Sequence, residues 1–77
     1  MITAYVLIQA QVGRSADVGG EVAQIEGVRS ADVVIGPYDV IALVEAANID
    51  HLGNLVVAKI QAVEGVTRTL TCPVIKF

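Results

Sequence analysis

The sequence predicts one small α+β domain with the element order β-α-β-β-α-β, and three observations carry that expectation. The chain has 77 residues, 55% hydrophobic and only 17% charged, a balance that suits one packed core and not a disordered segment. Its apolar residues fall into short strand-like runs and two helical stripes, not one long segment. Finally, Gln24-Ile25-Glu26-Gly27-Val28 returns as Ala62-Val63-Glu64-Gly65-Val66, 38 residues further on, so one supersecondary unit is used twice.

Each half reads strand, helix, strand. Ile2 to Val12 is rich in strand formers, and its alternate sets (Ile2, Ala4, Val6, Ile8, Ala10 against Thr3, Tyr5, Leu7, Gln9) are both apolar near the middle, the pattern of a strand covered on both faces. Gly13-Arg14-Ser15 breaks this strand, and Ser15 is expected to cap the helix that follows. Val18, Val22 and Ile25 form its apolar stripe. Gly19-Gly20 weakens that helix by about 1 kcal/mol per glycine relative to alanine, so packing has to hold it. Gly27 ends it, and Val28 to Ile35 forms the second strand.

Gly36-Pro37-Tyr38-Asp39 joins the halves as a turn, with Pro37 pre-set for its second position. Val40 to Ala46, apolar except for Glu45, reads as a central strand. Asn48 or Asp50 can cap the second helix, whose stripe is Leu52, Leu55, Val56, Ile60 and Val63. Gly65 closes it, and Val66 to Ile75 is the last strand, with Pro73 demanding a sheet edge or a bulge. Right-handed crossovers then give a ferredoxin-like βαββαβ fold, a four-stranded antiparallel sheet with two helices on one face. The other face is bare in a single protomer. Burying one Leu or Ile contributes roughly 1.5–3 kcal/mol, so two such sheets are expected to pack face to face as a dimeric α/β sandwich.

Composition excludes several classes. Five basic residues (Arg14, Arg29, Lys59, Arg68, Lys76) stand singly against eight acidic ones, for a net charge of −3. A phosphate-tracking surface needs clustered cations, so no direct nucleic-acid binding is expected. No apolar run approaches the roughly 20 residues of a spanning helix, and Met1-Ile2-Thr3-Ala4 lacks the pattern of a signal peptide; the expected location is cytoplasmic. Cys72, the one cysteine, makes neither an internal disulfide nor a metal site by itself, and alternation with Leu70 casts it as a small buried hydrophobe. His51 falls in the first turn of the second helix, an ordinary surface position. With no nucleophile–base pair, paired carboxylates or phosphate-binding glycine loop in view, the expectation is a non-enzyme with no cofactor and no metal.

Two features suggest a ligand. Gly36-Pro37-Tyr38-Asp39 is accounted for by a plain hairpin turn, yet it presents an aromatic ring and a carboxylate together, a pairing suited to an amine-bearing molecule. Thr67, Thr69 and Thr71 share one face of the last strand. High β-propensity explains them, and so does a row of hydroxyls that orients a zwitterion at a subunit interface.

The run Gly36-Pro37-Tyr38-Asp39-Val40-Ile41-Ala42-Leu43-Val44, together with Glu64-Gly65-Val66-Thr67-Arg68-Thr69, resembles the ligand-binding (regulation of amino-acid metabolism) domain of the Lrp/AsnC family of transcriptional regulators, over essentially all 77 residues. The resemblance implies this same fold, dimers formed through the sheets, and dimers assembled into rings, commonly octamers. It implies amino-acid effectors bound between dimers, with Gly36, Tyr38 and Asp39 in the effector loop and Thr67 and Thr69 on the strand beside it. Family regulators carry an N-terminal helix-turn-helix. Here the domain starts at Met1, so the expectation is a single effector-binding domain over residues 1–77 with no DNA-binding domain. It would serve transcriptional regulation as an amino-acid sensor, or by joining rings of full-length relatives. Two rival classes are a small α+β-barrel enzyme such as a cofactor-independent monooxygenase, for which Tyr5, Tyr38 and Phe77 are too few aromatics and His51 is poorly placed, and a purely structural interaction partner without a ligand.

Overall fold

The computed structural model describes residues 1–77. Strand β1 (Ile2–Ala10) leads to helix α1 (Ser15–Ala23), β2 (Val28–Val33), β3 (Val40–Ala46), α2 (Ile49–Asn54) with a π-helical continuation (Leu55–Ile60), and β4 (Val66–Pro73). The strands form one antiparallel sheet in the order β2-β3-β1-β4. This is the ferredoxin-like arrangement that the sequence predicts, with β1 and β3 in the centre and the strand that carries Pro73 on an edge.

Both helices lie on the same face. Their stripes (Val18, Val22, Leu52, Leu55, Val56, Ile60) close over Ala4, Val6, Ile8, Val40, Ala42 and Val44 to make the core. Ile25 and Val63 lie just past the ends of their helices and pack against the core's edge. Gly19 is required for this packing, because a Cβ there would stand 2.8 Å from the Val33 side chain. Helix α1 therefore owes its place to close contact at Gly19, while Gly20 faces open space.

The opposite face has no helix. Cross-strand register sets Leu43, Tyr5 and Cys72 in one row and Ile41, Leu7 and Leu70 in the next. Tyr5 and Leu70 are each 47% exposed. Cys72 does point to the same side as Leu70, but that side is the uncovered one, so the cysteine is exposed and not buried as expected.

Several local expectations are corrected. β1 stops at Ala10 and not at Val12, since the amide of Gln11 turns to Gly65 O (2.8 Å) and Arg14 N closes a turn on Gln11 O (2.9 Å). β2 stops at Val33 and β4 at Pro73, two residues earlier than expected in each case. Ser15 is the first helical residue, not the cap. Arg14 holds the cap position and makes no side-chain cap bond, while its guanidinium lies 3.4 Å from Asp17 in the first turn. At α2 the cap is Asn48, whose Oδ1 accepts from His51 N at 2.8 Å. The second helix also changes pitch, as shown by Gln61 N reaching back five residues to Val56 O (2.8 Å).

The repeat seen in the sequence is real in the backbone. Gly27 and Gly65 both take φ 98°, a conformation that L side chains resist. Each ends a matching turn: Val28 N bonds Ile25 O (3.0 Å) and Val66 N bonds Val63 O (3.2 Å). A Cβ on Gly65 would also meet the Val18 side chain at 3.0 Å. Gly65→Ala is therefore expected to destabilise the fold by about 1–3 kcal/mol, read as a lower midpoint in thermal or urea unfolding; an unchanged midpoint would show that the turn tolerates a side chain.

Candidate functional site

The segment that follows β2 crosses to β3 at one end of the sheet and is tied down there by backbone and side-chain bonds. Val34 N bonds Asp39 O (2.9 Å) and Asp39 N bonds Ile8 O (2.8 Å), so Asp39 joins the loop to β1 as well as closing it. Its carboxylate is half-buried, and Oδ2 accepts from the amide of Ala10 at 2.7 Å. Gln9 holds the loop from the side, donating from Nε2 to Pro37 O at 3.0 Å. Tyr38 is half-buried on the loop, and Gly36 is exposed, with no atom within 4 Å of where a Cβ would stand.

Thr67 comes to the same place from the opposite strand. Its hydroxyl donates to Gln9 O at 3.2 Å, beside a register shift in the β1–β4 pairing between Gln9 and Ala10. A bulge of this kind re-aims the chain locally, while the Ala10 amide lies on the β3 side of the strand, as the Ile8 carbonyl does, and meets Asp39 there. Thus Pro37, Asp39 and Thr67 all converge on Gln9-Ala10. Thr69 pairs with Ile8 further in, and its hydroxyl already accepts from Gln61 Nε2 at 2.8 Å. Thr71 pairs with Val6, further still from the loop. Of the five predicted site residues, the structure gathers Asp39 and Thr67 on a common anchor and keeps Gly36 and Tyr38 on the same loop, while Thr69 is engaged elsewhere.

Sequence reasoning missed Gln9 and Ala10. One signal for Gln9 was present: it is the amide-bearing residue in an otherwise apolar stretch of β1. Ala10 acts through its backbone, which no side-chain pattern reveals. Chemically, the site offers a carboxylate with one oxygen committed, an aromatic ring and a fixed hydroxyl oxygen, all presented without an enclosing wall. No group of three or more His, Cys, Asp or Glu side chains comes together to hold a metal ion, and no helix is long and apolar enough to cross a membrane.

Comparison with known proteins gives a consistent picture. The family model of the Lrp/AsnC ligand binding domain matches residues 3–77. An uncharacterized HTH-type transcriptional regulator of Pyrococcus furiosus is 33% identical over 72 residues, which are 90% of this chain and 48% of that relative. The chain spans about half the length of the curated relatives it matches. The crystal structure of TTHA0845 from Thermus thermophilus superposes with a TM-score of 0.93 at 36% identity, covering 100% of this chain and 96% of that one. The feast or famine regulatory protein of M. tuberculosis, solved in complex with L-methionine, gives 0.82 at 25% identity, covering 100% of this chain and 52% of that one.

The Asp39–Ala10 bond predicts a contrast between two substitutions. Asp39→Ala leaves a partly buried amide without its acceptor and is expected to cost about 1–3 kcal/mol. Asp39→Asn keeps an oxygen for that amide and is expected to stay within about 1 kcal/mol of the parent. Urea unfolding of both variants checks this, and equal losses would mean that charge, not the hydrogen bond, holds the loop.

Proposed function

The chain belongs to the Lrp/AsnC ligand-binding domain family, and on that premise we propose that it is an amino-acid effector-binding and self-assembling module of transcriptional regulation. The observation that carries this reading is the convergence of Pro37, Asp39 and Thr67 on Gln9-Ala10. A loop fixed in this way loses little further entropy when a ligand arrives, so more of the contact energy appears as affinity. Asp39 would receive the effector's ammonium through its uncommitted oxygen, Tyr38 would cover the apolar part, and Gly36 would let the backbone approach closely. Thr67 would help to orient the ligand's polar head, with Thr69 one pleat behind. The M. tuberculosis relative bound to L-methionine supports an amino acid as the ligand class.

The loop is open, so a second subunit has to complete the seat. The bare face of the sheet supports association of two protomers through Tyr5, Leu7, Ile41, Leu43 and Leu70, and further association of such dimers, in an octamer-like or larger ring, would bring effector loops to the junctions. A ligand held between dimers binds one assembly better than another and shifts the population toward it. Full-length relatives that share the domain are candidate partners in mixed rings. The barrel-enzyme alternative needs a deep pocket between sheet and helices lined by bulky aromatics; the core there is filled by fully buried side chains such as Ile8 and Ile60, and the one sizeable groove, beside the Gly27 turn, has no Phe, Tyr or Trp in its lining. The module is proposed to be non-enzymatic, to need no cofactor and to work in the cytoplasm, and its singly placed basic residues and net charge of −3 support a role without direct DNA contact.

Two measurements test this. In a calorimetric screen of the standard amino acids, at least one is expected to bind, and Asp39→Asn should weaken it by about tenfold or more, about 1.4 kcal/mol. Unchanged affinity would remove Asp39 from the site, and no binding by any amino acid would leave the purely structural role standing. In sedimentation runs, Leu7→Asp and Leu43→Asp should each release protomers from the assembly; a wild-type chain that sediments as a single protomer would end the case for the sheet-to-sheet contact.

A further inference from the structure

The two halves of the molecule match in sequence and in their glycine turns, but not in register. Val66 of β4 pairs with Ala10. Its counterpart Val28 pairs with Val44, which is the counterpart of Val6 and not of Ala10. The pairing of β2 is thus displaced by four residues. At about 3.3 Å per residue, the Gly27 turn sits roughly 13 Å deeper along the central strands than the Gly65 turn does. At the Gly65 turn, Arg14 and Val18 pack up against the backbone. At the Gly27 turn the end of β3 projects past its neighbour, and a groove of about 600 Å³ opens between this turn and the second helix.

This groove lies at the far end of β3 from the Gly36–Asp39 loop, about 20 Å away by strand rise. Ile25, Val28 and Leu55 give it an apolar floor, with Leu55 seated directly over Gly27. Its polar groups are unequally committed. Arg29 and Glu45 are paired with each other. His51 Nδ1 accepts from Ala47 N at 3.0 Å, so the neutral ring carries its proton on Nε2 as a donor. Lys59, presented by the π-helical stretch, makes no ion pair within the protein, and the Asn54 amide also faces the groove. Lys59 and His51 thus offer free donors, the Asn54 amide offers a donor and an acceptor, and Glu26 adds a carboxylate to the lining.

We propose that this groove is a second small-molecule site, independent of the Gly36–Asp39 loop, for a small carboxylate with an apolar tail. Lys59 takes the carboxylate, with His51 Nε2–H and the Asn54 amide as further donors along the same wall, and the tail lies on Leu55, Ile25 and Val28. A volume of this size is in the range of small-ligand sites, and an apolar lining with a few placed polar groups is their usual composition. Glu26 would add affinity for a form that also carries an ammonium group, favouring an α-amino acid over the corresponding plain acid.

The test is a nitrogen-edited NMR titration of the whole chain with 4-methylpentanoate, L-leucine and isoamylamine in turn. The two carboxylates are expected to shift the amide signals of Gly27, Arg29 and Leu55, with leucine the tighter, and the amine to leave them in place. Lys59→Gln should weaken both carboxylates by about tenfold or more, and Lys59→Arg should restore them. Shifts confined to Gly36–Asp39 would sink the second site while supporting the effector loop; shifts confined to the groove would do the reverse. An amine as effective as the acids, or no groove shifts with any of the three at about 10 mM, would also overturn the assignment.

Discussion

The structure depends on one imbalance: the two central strands are apolar on both faces, and the chain supplies helices for only one. On the helix side, Val6, Ile8, Val40, Ala42 and Val44 are fully buried. On the other side, Leu7, Ile41 and Leu43 shield one another only in part. Each such side chain contributes roughly 1.5–3 kcal/mol when fully covered, and a 77-residue domain has little stability to spare. Folding of the protomer and covering of its open face are therefore linked. Under the proposed function, a ligand at the loop on the end of the sheet would act where subunits meet and not in a core that must stay closed.

A second constraint is the pair of glycine turns. Gly27 and Gly65 fix how each helix hands the chain back to the sheet, with the same backbone angle and the same local hydrogen bond. What they do not fix is where the returning strand docks. The four-residue difference in pairing makes the two ends of the molecule unlike. One end carries the Gly65 turn and the loop anchored on Gln9-Ala10, and the other carries the groove beside Leu55. A twofold repeat thus yields two chemically different surfaces.

The fold was legible because its signals are local and mutually consistent: the Val40–Ala46 run, the Leu52-Leu55-Val56-Ile60 stripe, the repeated Glu-Gly-Val and the position of Pro73 all pointed the same way. What stayed hidden depends on register or on backbone groups. Cys72 was paired correctly with Leu70, but which face would lack helices at β4 sets its exposure, and alternation alone does not say that. Ser15 looked like a cap because its residue type favours one, whereas the turn closed by Arg14 N and Gln11 O starts the helix one residue early. The change of pitch at Leu55 keeps the same residues buried, so the stripe gave no sign of it. For the site, the Gly36–Asp39 loop was visible as a motif, but its anchor, the Ala10 amide at a bulge, has no side-chain signature. Thr69 matched the pattern of a ligand-facing hydroxyl, and what the pattern did not show is that its oxygen accepts from Gln61, in the segment that follows the second helix.

Pro73 has a consequence of its own. It closes the outer strand of the sheet opposite Ala4 and has no N–H to offer, while Arg68 places a charge near the start of the same strand. An exposed strand rim is otherwise a template on which another chain can extend the ladder, the first step toward fibrils. In a protein this rich in valine and isoleucine that hazard is acute, and the proline at this border denies an incoming strand one rung of the ladder.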